Sequence, residues 1–158
     1  MKISKGIILG GGRGTRMYPL TRVLNKHLFP IYNKPMIYYP IANLLEAGIR
    51  DILLITNPDE EKLFYNLLGD GSHLGISIRY KIQPEPMGLP QAFIIGEDFI
   101  NSEPVCLNLG DNILFGRHLD MILNGISGNF TRSTLLIKET DNPSDYGVIE
   151  FNNNGSVI

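Results

Sequence analysis

One stretch gathers the residues best suited to chemistry: Lys5-Gly-Ile-Ile-Leu-Gly-Gly-Gly-Arg-Gly-Thr-Arg16. The apolar run Ile7-Ile8-Leu9 reads as a buried strand of a parallel sheet, and it runs straight into Gly10, Gly11, Gly12 and Gly14. Glycines at that place let the backbone turn sharply and bring bare N–H groups against a phosphate. Arg13, Thr15 and Arg16 add two guanidinium groups and a hydroxyl to the same loop. A guanidinium is always charged, and its planar fork suits phosphate oxygens. The expected ligand is therefore the triphosphate of a nucleotide. Two better-known phosphate loops are excluded by spacing. No Gly-Lys-Ser/Thr follows at the Walker A distance, and the last position of G-x-G-x-x-G falls on Thr15 or on Met17. A tight turn that merely packs backbone is the alternative, and the two arginines weigh against it.

Four further residues could complete such a site. Asp111 follows an apolar run, so its carboxylate would point out of a sheet rim as a ligand for Mg2+, which takes one or two carboxylates plus substrate phosphates. Its alternative role is a turn cap. Lys26 carries a mobile charge in a loop that could fold over phosphates; the alternative is a solvated lysine. Gln83 offers donors and an acceptor to a base edge, or anchors its own loop. Gly88 allows close approach to a ring, or is a plain turn glycine. Tyr38, Tyr39, Leu44 and Leu45 read as core or interface. Cys106 lies in the apolar run Val105-Cys-Leu107 and reads as a buried structural thiol. His27, His73 and His118 form no zinc spacing with it.

The elements that must position these groups follow from the pattern. Strands are expected over Lys5–Leu9, Asp51–Thr56, 76–82, Val105–Leu109 and 133–138. Helices are expected over 36–47, with Pro40 shortening or kinking it, from an Asn57 cap to about Leu68, from Pro90 to Phe99, and near 118–126. Alternation with short connections gives an α/β, Rossmann-like fold with a mostly parallel central sheet. The glycine loop, residues 83–88 and Asp111 all fall at strand carboxyl ends, where such sheets bind ligands. The irregular stretch from Met17 to Lys34 is too long for a plain connection and is expected to be functional. At the tail, Val148–Phe151 is strand-like and Asn153-Asn154-Gly155 is a hairpin turn signal.

Composition bounds the answer. The chain has 158 residues, 43% hydrophobic and 19% charged, with net charge −2. That is one ordinary domain with no basic footprint for a nucleic acid polymer. No apolar run reaches a membrane span and the start is not a signal peptide, so a reducing, cytoplasmic setting is expected.

Jointly, several stretches resemble the sugar nucleotidylyltransferase family. They are the segment Gly6 to Arg16, Lys34-Pro-Met-Ile-Tyr-Tyr-Pro40, Ala47-Gly-Ile-Arg-Asp-Ile-Leu53, Leu68-Gly-Asp-Gly-Ser72, Gln83-Pro through Gly88-Leu-Pro-Gln-Ala-Phe93, Leu109-Gly-Asp-Asn112 and Tyr146-Gly-Val148. The Lys-Pro-Met and Gly-Asp-Gly-Ser stretches are similar to the thymidylyl branch. The resemblance implies transfer of a thymidylyl group from dTTP to glucose 1-phosphate, in dTDP-sugar biosynthesis. UTP is the alternative nucleotide, since it offers Gln83 the same pairing edge. It implies that the loop around Gly11 holds the nucleotide and Arg16 steadies the leaving pyrophosphate. Lys26 would neutralise the reacting phosphates, Gln83 and Gly88 would read the base, and Asp111 would hold Mg2+. Tyr146 and Gly147 would meet the sugar. It also implies a tetramer.

Five positions depart from the family pattern. His27 stands for the usual glutamine, Asn25 for a serine or threonine, and Arg13 for a small residue. Met87 stands for a polar residue and Asn108 for an apolar one. The family's second magnesium aspartate and its glutamate-lysine pair would fall after Ile158. Residues 1–158 are therefore expected to be one nucleotidyltransferase domain, truncated at its C-terminal side. A catalytically weak nucleotide-binding fragment is the alternative for the chain by itself.

Overall fold

The computed structural model describes residues 2–12, 14–128, 133–145, 147–154 and 156–157. Four parallel strands form the central sheet: β1 (Lys5–Leu9), β4 (Asp51–Thr56), β5 (Ser77–Ile82) and β6 (Val105–Leu109), in the order β5-β4-β1-β6. A two-residue hairpin of β2 (Pro30–Ile31) and β3 (Lys34–Pro35) stands apart from it. The α/β expectation holds, and three of the strands match their expected bounds. The reason is simple: each is a short apolar run bounded by polar or glycine residues.

Side chains alternate between two faces. Ile8, Ile52, Leu54 and Ile78 pack with Ile37, Ile41 and Leu44 of the α1 region and with Phe64 and Leu68 of α2; α1 is Tyr38–Glu46 and α2 is Glu61–Leu68. Ile7, Leu53 and Ile55 pack on the other face with Ala92 of α3 (Gln91–Ile95) and Phe99 of α4 (Glu97–Ile100). Helices thus cover both faces, and α5 (Leu119–Gly128) closes the first layer through Ser127, which donates to the Ala47 carbonyl at 2.6 Å.

Several local expectations change. Pro35 pairs in β3 and does not open a helix. α1 begins later, and Pro40 is its third residue, where an N–H has no helical partner to lose. Asn57 does not cap α2, which starts at Glu61. The helix expected from Pro90 to Phe99 splits at Gly96, where a Cβ would lie 2.9 Å from the Ala92 carbonyl and 3.1 Å from Ile7 Cδ1. Residues 133–138 join no sheet among the described residues, and Leu135, Leu136 and Ile137 are exposed. Strand propensity describes fit to a pleated surface and does not supply a neighbouring strand. At the tail Phe151 bridges Val157, and Asn152 N–H donates to Ser156 O at 2.9 Å; Gly155 of the expected turn lies outside the described residues. Cys106 packs against the first core layer, and burial pushes its thiol pKa up. Asn108 turns its amide to the Pro40 carbonyl at 3.4 Å, which gives a polar residue a partner at a normally apolar position. No described helix is long and apolar enough to cross a membrane.

Candidate functional site

The strand order reverses at β1. From β1 the chain moves to β4 and β5 on one side, then returns to β6 on the other. A crevice beyond the carboxyl ends of β1 and β6 is where α/β sheets bind ligands. Gly10 and Gly110 leave these ends side by side: Gly10 N–H donates to Ile55 O at 2.8 Å and Gly110 N–H to Leu9 O at 2.9 Å. The loop then turns through Gly12 (φ 104°) and Gly14 (φ 54°), conformations that favour glycine. Thr15 and Arg16 follow in one exposed turn of 3-10 helix, Thr15–Met17. Gly12 N–H donates to Asn57 Oδ1 at 3.2 Å. Among the described residues, the loop amides open to a ligand are therefore at Gly11, Gly14, Thr15 and Arg16, since Met17 N–H donates to Gly14 O and Tyr18 N–H to Thr15 O. An open cavity of about 350 Å³ lies beside the loop, lined by Gly12, Thr15, Arg22, Lys26, Asn57 and Glu60 among others.

Lys26 packs against the loop, its Cβ 3.6 Å from where a Cβ on Gly14 would stand, and it meets Asp111. Lys26 Nζ donates to Asp111 Oδ2 at 2.5 Å, with side chains 23% and 39% exposed. Burial pulls the Asp111 pKa up, but the hydrogen bond and charge of Lys26 outweigh it and hold the carboxyl below its usual range. Lys26 sits in a 3-10 turn, Lys26–Leu28, capped by the buried Asn25 side chain. His27 is buried beside it, and Gly110 leaves room for its ring: a Cβ there would lie 2.7 Å from His27 Cδ2.

Gln83 leaves the end of β5, is 3% exposed, and lies against Gly11, where a Cβ would stand 2.6 Å from its Oε1. Gln83 Nε2 donates to Gln91 Oε1 at 2.7 Å, and that same oxygen accepts the Met87 N–H at 2.9 Å. Gly88 turns the loop at φ 89° and is exposed. Gly147 is exposed and distant in sequence from these groups, while Arg13 and Tyr146 lie outside the described residues. The structure thus places Gly10, Gly11, Gly12, Gly14 and Gln83 along one wall and brings Lys26 onto Asp111.

A family model for nucleotidyl transferases matches residues 5–158. The chain belongs to the nucleotidyl transferase family. It is 54% identical over 150 residues to a glucose-1-phosphate thymidylyltransferase of Neisseria meningitidis, covering 95% of this chain and 52% of that protein. It is 48% identical to the Mycobacterium tuberculosis protein of the same name, covering 98% and 53%. The chain spans about half the length of these curated relatives. A Bacillus anthracis crystal structure with sucrose, provisionally assigned as a glucose-1-phosphate thymidylyltransferase, superposes with TM-score 0.86 at 34% identity. That match covers 98% of this chain and 62% of the other. A UDP-glucose pyrophosphorylase complexed with UDP-glucose superposes at TM-score 0.66 and 25% identity, covering 80% and 52%.

Within this nucleotidyl transferase frame, the residues that hold the loops are ones that reading the sequence missed. Glu60 Oε2 accepts from Asn25 Nδ2 and from Asn57 Nδ2, each at 2.6 Å. Asn25 Nδ2 also reaches Gly10 O at 3.1 Å, and its Oδ1 meets His27 N–H at 2.8 Å and His27 Nδ1 at 2.6 Å. Two departures, Asn25 and His27, are thus partners of one another. In the sequence they stand two residues apart, each a departure from the resembled family pattern. Asp111 offers a divalent cation a half-exposed hard oxygen donor, while the Glu60 carboxylate is held by Asn25 and Asn57; among the described residues no group of three His, Cys, Asp or Glu could cage a metal. That donor set fits a magnesium-sized ion carried largely by phosphate oxygens and water.

Proposed function

We propose that the chain is the nucleotide-binding part of an enzyme that makes dTDP-glucose and pyrophosphate from dTTP and glucose 1-phosphate. The relatives' names and the family match support this reading. One observation carries it: the Lys26 ammonium and Asp111 carboxylate, 2.5 Å apart, stand beside a glycine loop at the sheet's switch point.

The reaction forms a bond between a phosphate oxygen of the sugar phosphate and the α-phosphorus, and breaks the α-phosphorus bond to the β-phosphate oxygen. It needs alignment and charge neutralisation, with little covalent work for side chains. The loop amides of Gly11, Gly14, Thr15 and Arg16 and the Arg16 guanidinium hold the β- and γ-phosphates, which depart as pyrophosphate. Lys26 swings from Asp111 to the reacting phosphates, and Asp111 holds Mg2+. The ion, when bound, neutralises phosphate charge and fixes its geometry. Gln83, seated behind Gly11, pairs with the pyrimidine edge, and Gly88 lets the ring approach the backbone. Tyr146 and Gly147 meet the sugar, and the tetramer is carried over from the family pattern as part of the same proposal.

The test is equilibrium binding of dTTP with Mg2+ to this chain, against dATP, by isothermal titration calorimetry. The expected result is dTTP at least about tenfold tighter than dATP. Equal affinities would remove Gln83 from base reading. No binding of either nucleotide would overturn the proposal.

A further inference from the structure

We propose that Gln91 is a positioning residue that fixes which way Gln83 faces, and so sets the choice between thymine and cytosine nucleotides. This rests on the reading of Gln83 as the base-pairing residue. A glutamine amide can sit either way round, presenting its oxygen or its NH2 to a given partner. Here a main-chain group settles the choice. Met87 N–H can only donate, and it donates to Gln91 Oε1 at 2.9 Å. That oxygen is therefore the inward atom of Gln91. Gln83 can then reach it only with its NH2 end, and Gln83 Nε2 does so at 2.7 Å. Its Oε1 is left on the side of Gly11, where the nucleotide loop begins. Gln83 is 3% exposed, so a wrong orientation has no water to fall back on.

The pinned amide offers one acceptor, Oε1, and the second N–H of Nε2. Thymine and uracil match that pattern with a ring N3–H and a C4 carbonyl. Cytosine in the same pose sets a lone pair against Oε1 and an amine against Nε2. Gln91 touches no substrate in this scheme; it acts through Gln83.

The experiment compares dTTP and dCTP binding, each with Mg2+, for the wild type, Gln91→Met and Gln91→Glu. Glutamate keeps an oxygen that accepts from both Met87 and Gln83; methionine keeps the bulk and loses the acceptor. The dTTP preference over dCTP is expected to fall about tenfold in Gln91→Met and to stay within about twofold of wild type in Gln91→Glu. A general loss of structure would weaken both nucleotides alike and leave the ratio unmoved. A wild-type ratio retained in Gln91→Met overturns the role of Gln91. A wild type that binds dTTP and dCTP equally instead overturns the base-reading role of Gln83, on which this one rests.

Discussion

His27 behaves differently in the fold from an isolated imidazole. Burial pushes its pKa down to about 4, the neighbouring Lys26 charge adds to this, and Asp111 and the Gly10 carbonyl oppose it. The folded chain therefore keeps the imidazole neutral where the unfolded chain, at 6.5, takes a proton. The unfolded state binds more protons between these values, so stability is full above pH 6.5 and falls as pH drops toward 4. The loss amounts to at most about 3 kcal/mol. Urea unfolding midpoints measured from pH 7 to 4 should fall for the wild type and fall less steeply for His27→Gln. Equal slopes would mean that His27 is not the group being charged. At this scale the sequence was legible for position: Asp111 and Gln83 follow strands, and the glycines form the first loop at the end of β1. It was opaque for Asn25, His27 and Gln91, because an amide or imidazole says nothing about which distant partner it will meet.

At the scale of elements, the glycine loop is held from outside itself. Its own glycines favour many conformations, so something must select one. Two asparagines do this, Asn25 on Gly10 O and Asn57 on Gly12 N–H, and the Glu60 carboxylate joins them. Asn57 explains the failed cap. The same amide that would have opened α2 reaches across to a loop 45 residues away, and the helix starts at Glu61 instead. Cap residues and loop tethers share a vocabulary of Asn, Asp, Ser and Thr, so pattern alone cannot separate them. Glu60→Ala removes the acceptor of both NH2 groups and leaves Asn25 buried with one fewer partner. It should cost about 1–3 kcal/mol in denaturant unfolding and speed amide exchange at Gly12. Unchanged exchange at Gly12 would show that the loop holds its shape without Glu60.

At the scale of the molecule, the two rims of the sheet have different work. The carboxyl rim carries the glycine loop, Gln83 and the Lys26–Asp111 pair, all around the point where strand order reverses. The opposite rim carries Leu68-Gly-Asp-Gly-Ser72, one of the stretches most like the thymidylyl branch. It leads into the start of β5: Asp70 Oδ1 accepts Ser72 N–H at 2.9 Å, Asp70 O accepts Ile78 N–H at 2.8 Å, and Tyr80 donates to Gly69 O at 2.7 Å. Its hydrogen bonds close a tight helix-to-strand connection on the rim away from the glycine loop. The distinction has a direct consequence. Hydrogen exchange on this chain with and without dTTP and Mg2+ should show slowing at 10–12, 14–16, 83–88 and 110–112, because those backbones lie at the carboxyl rim of the sheet. Residues 69–75 should exchange at the same rate in both conditions, since a sheet's length separates them from the ligand. Slowing at 69–75 without slowing at 10–12 and 14–16 would place the nucleotide on the wrong rim and remove the basis for assigning Lys26 and Asp111 to the reaction.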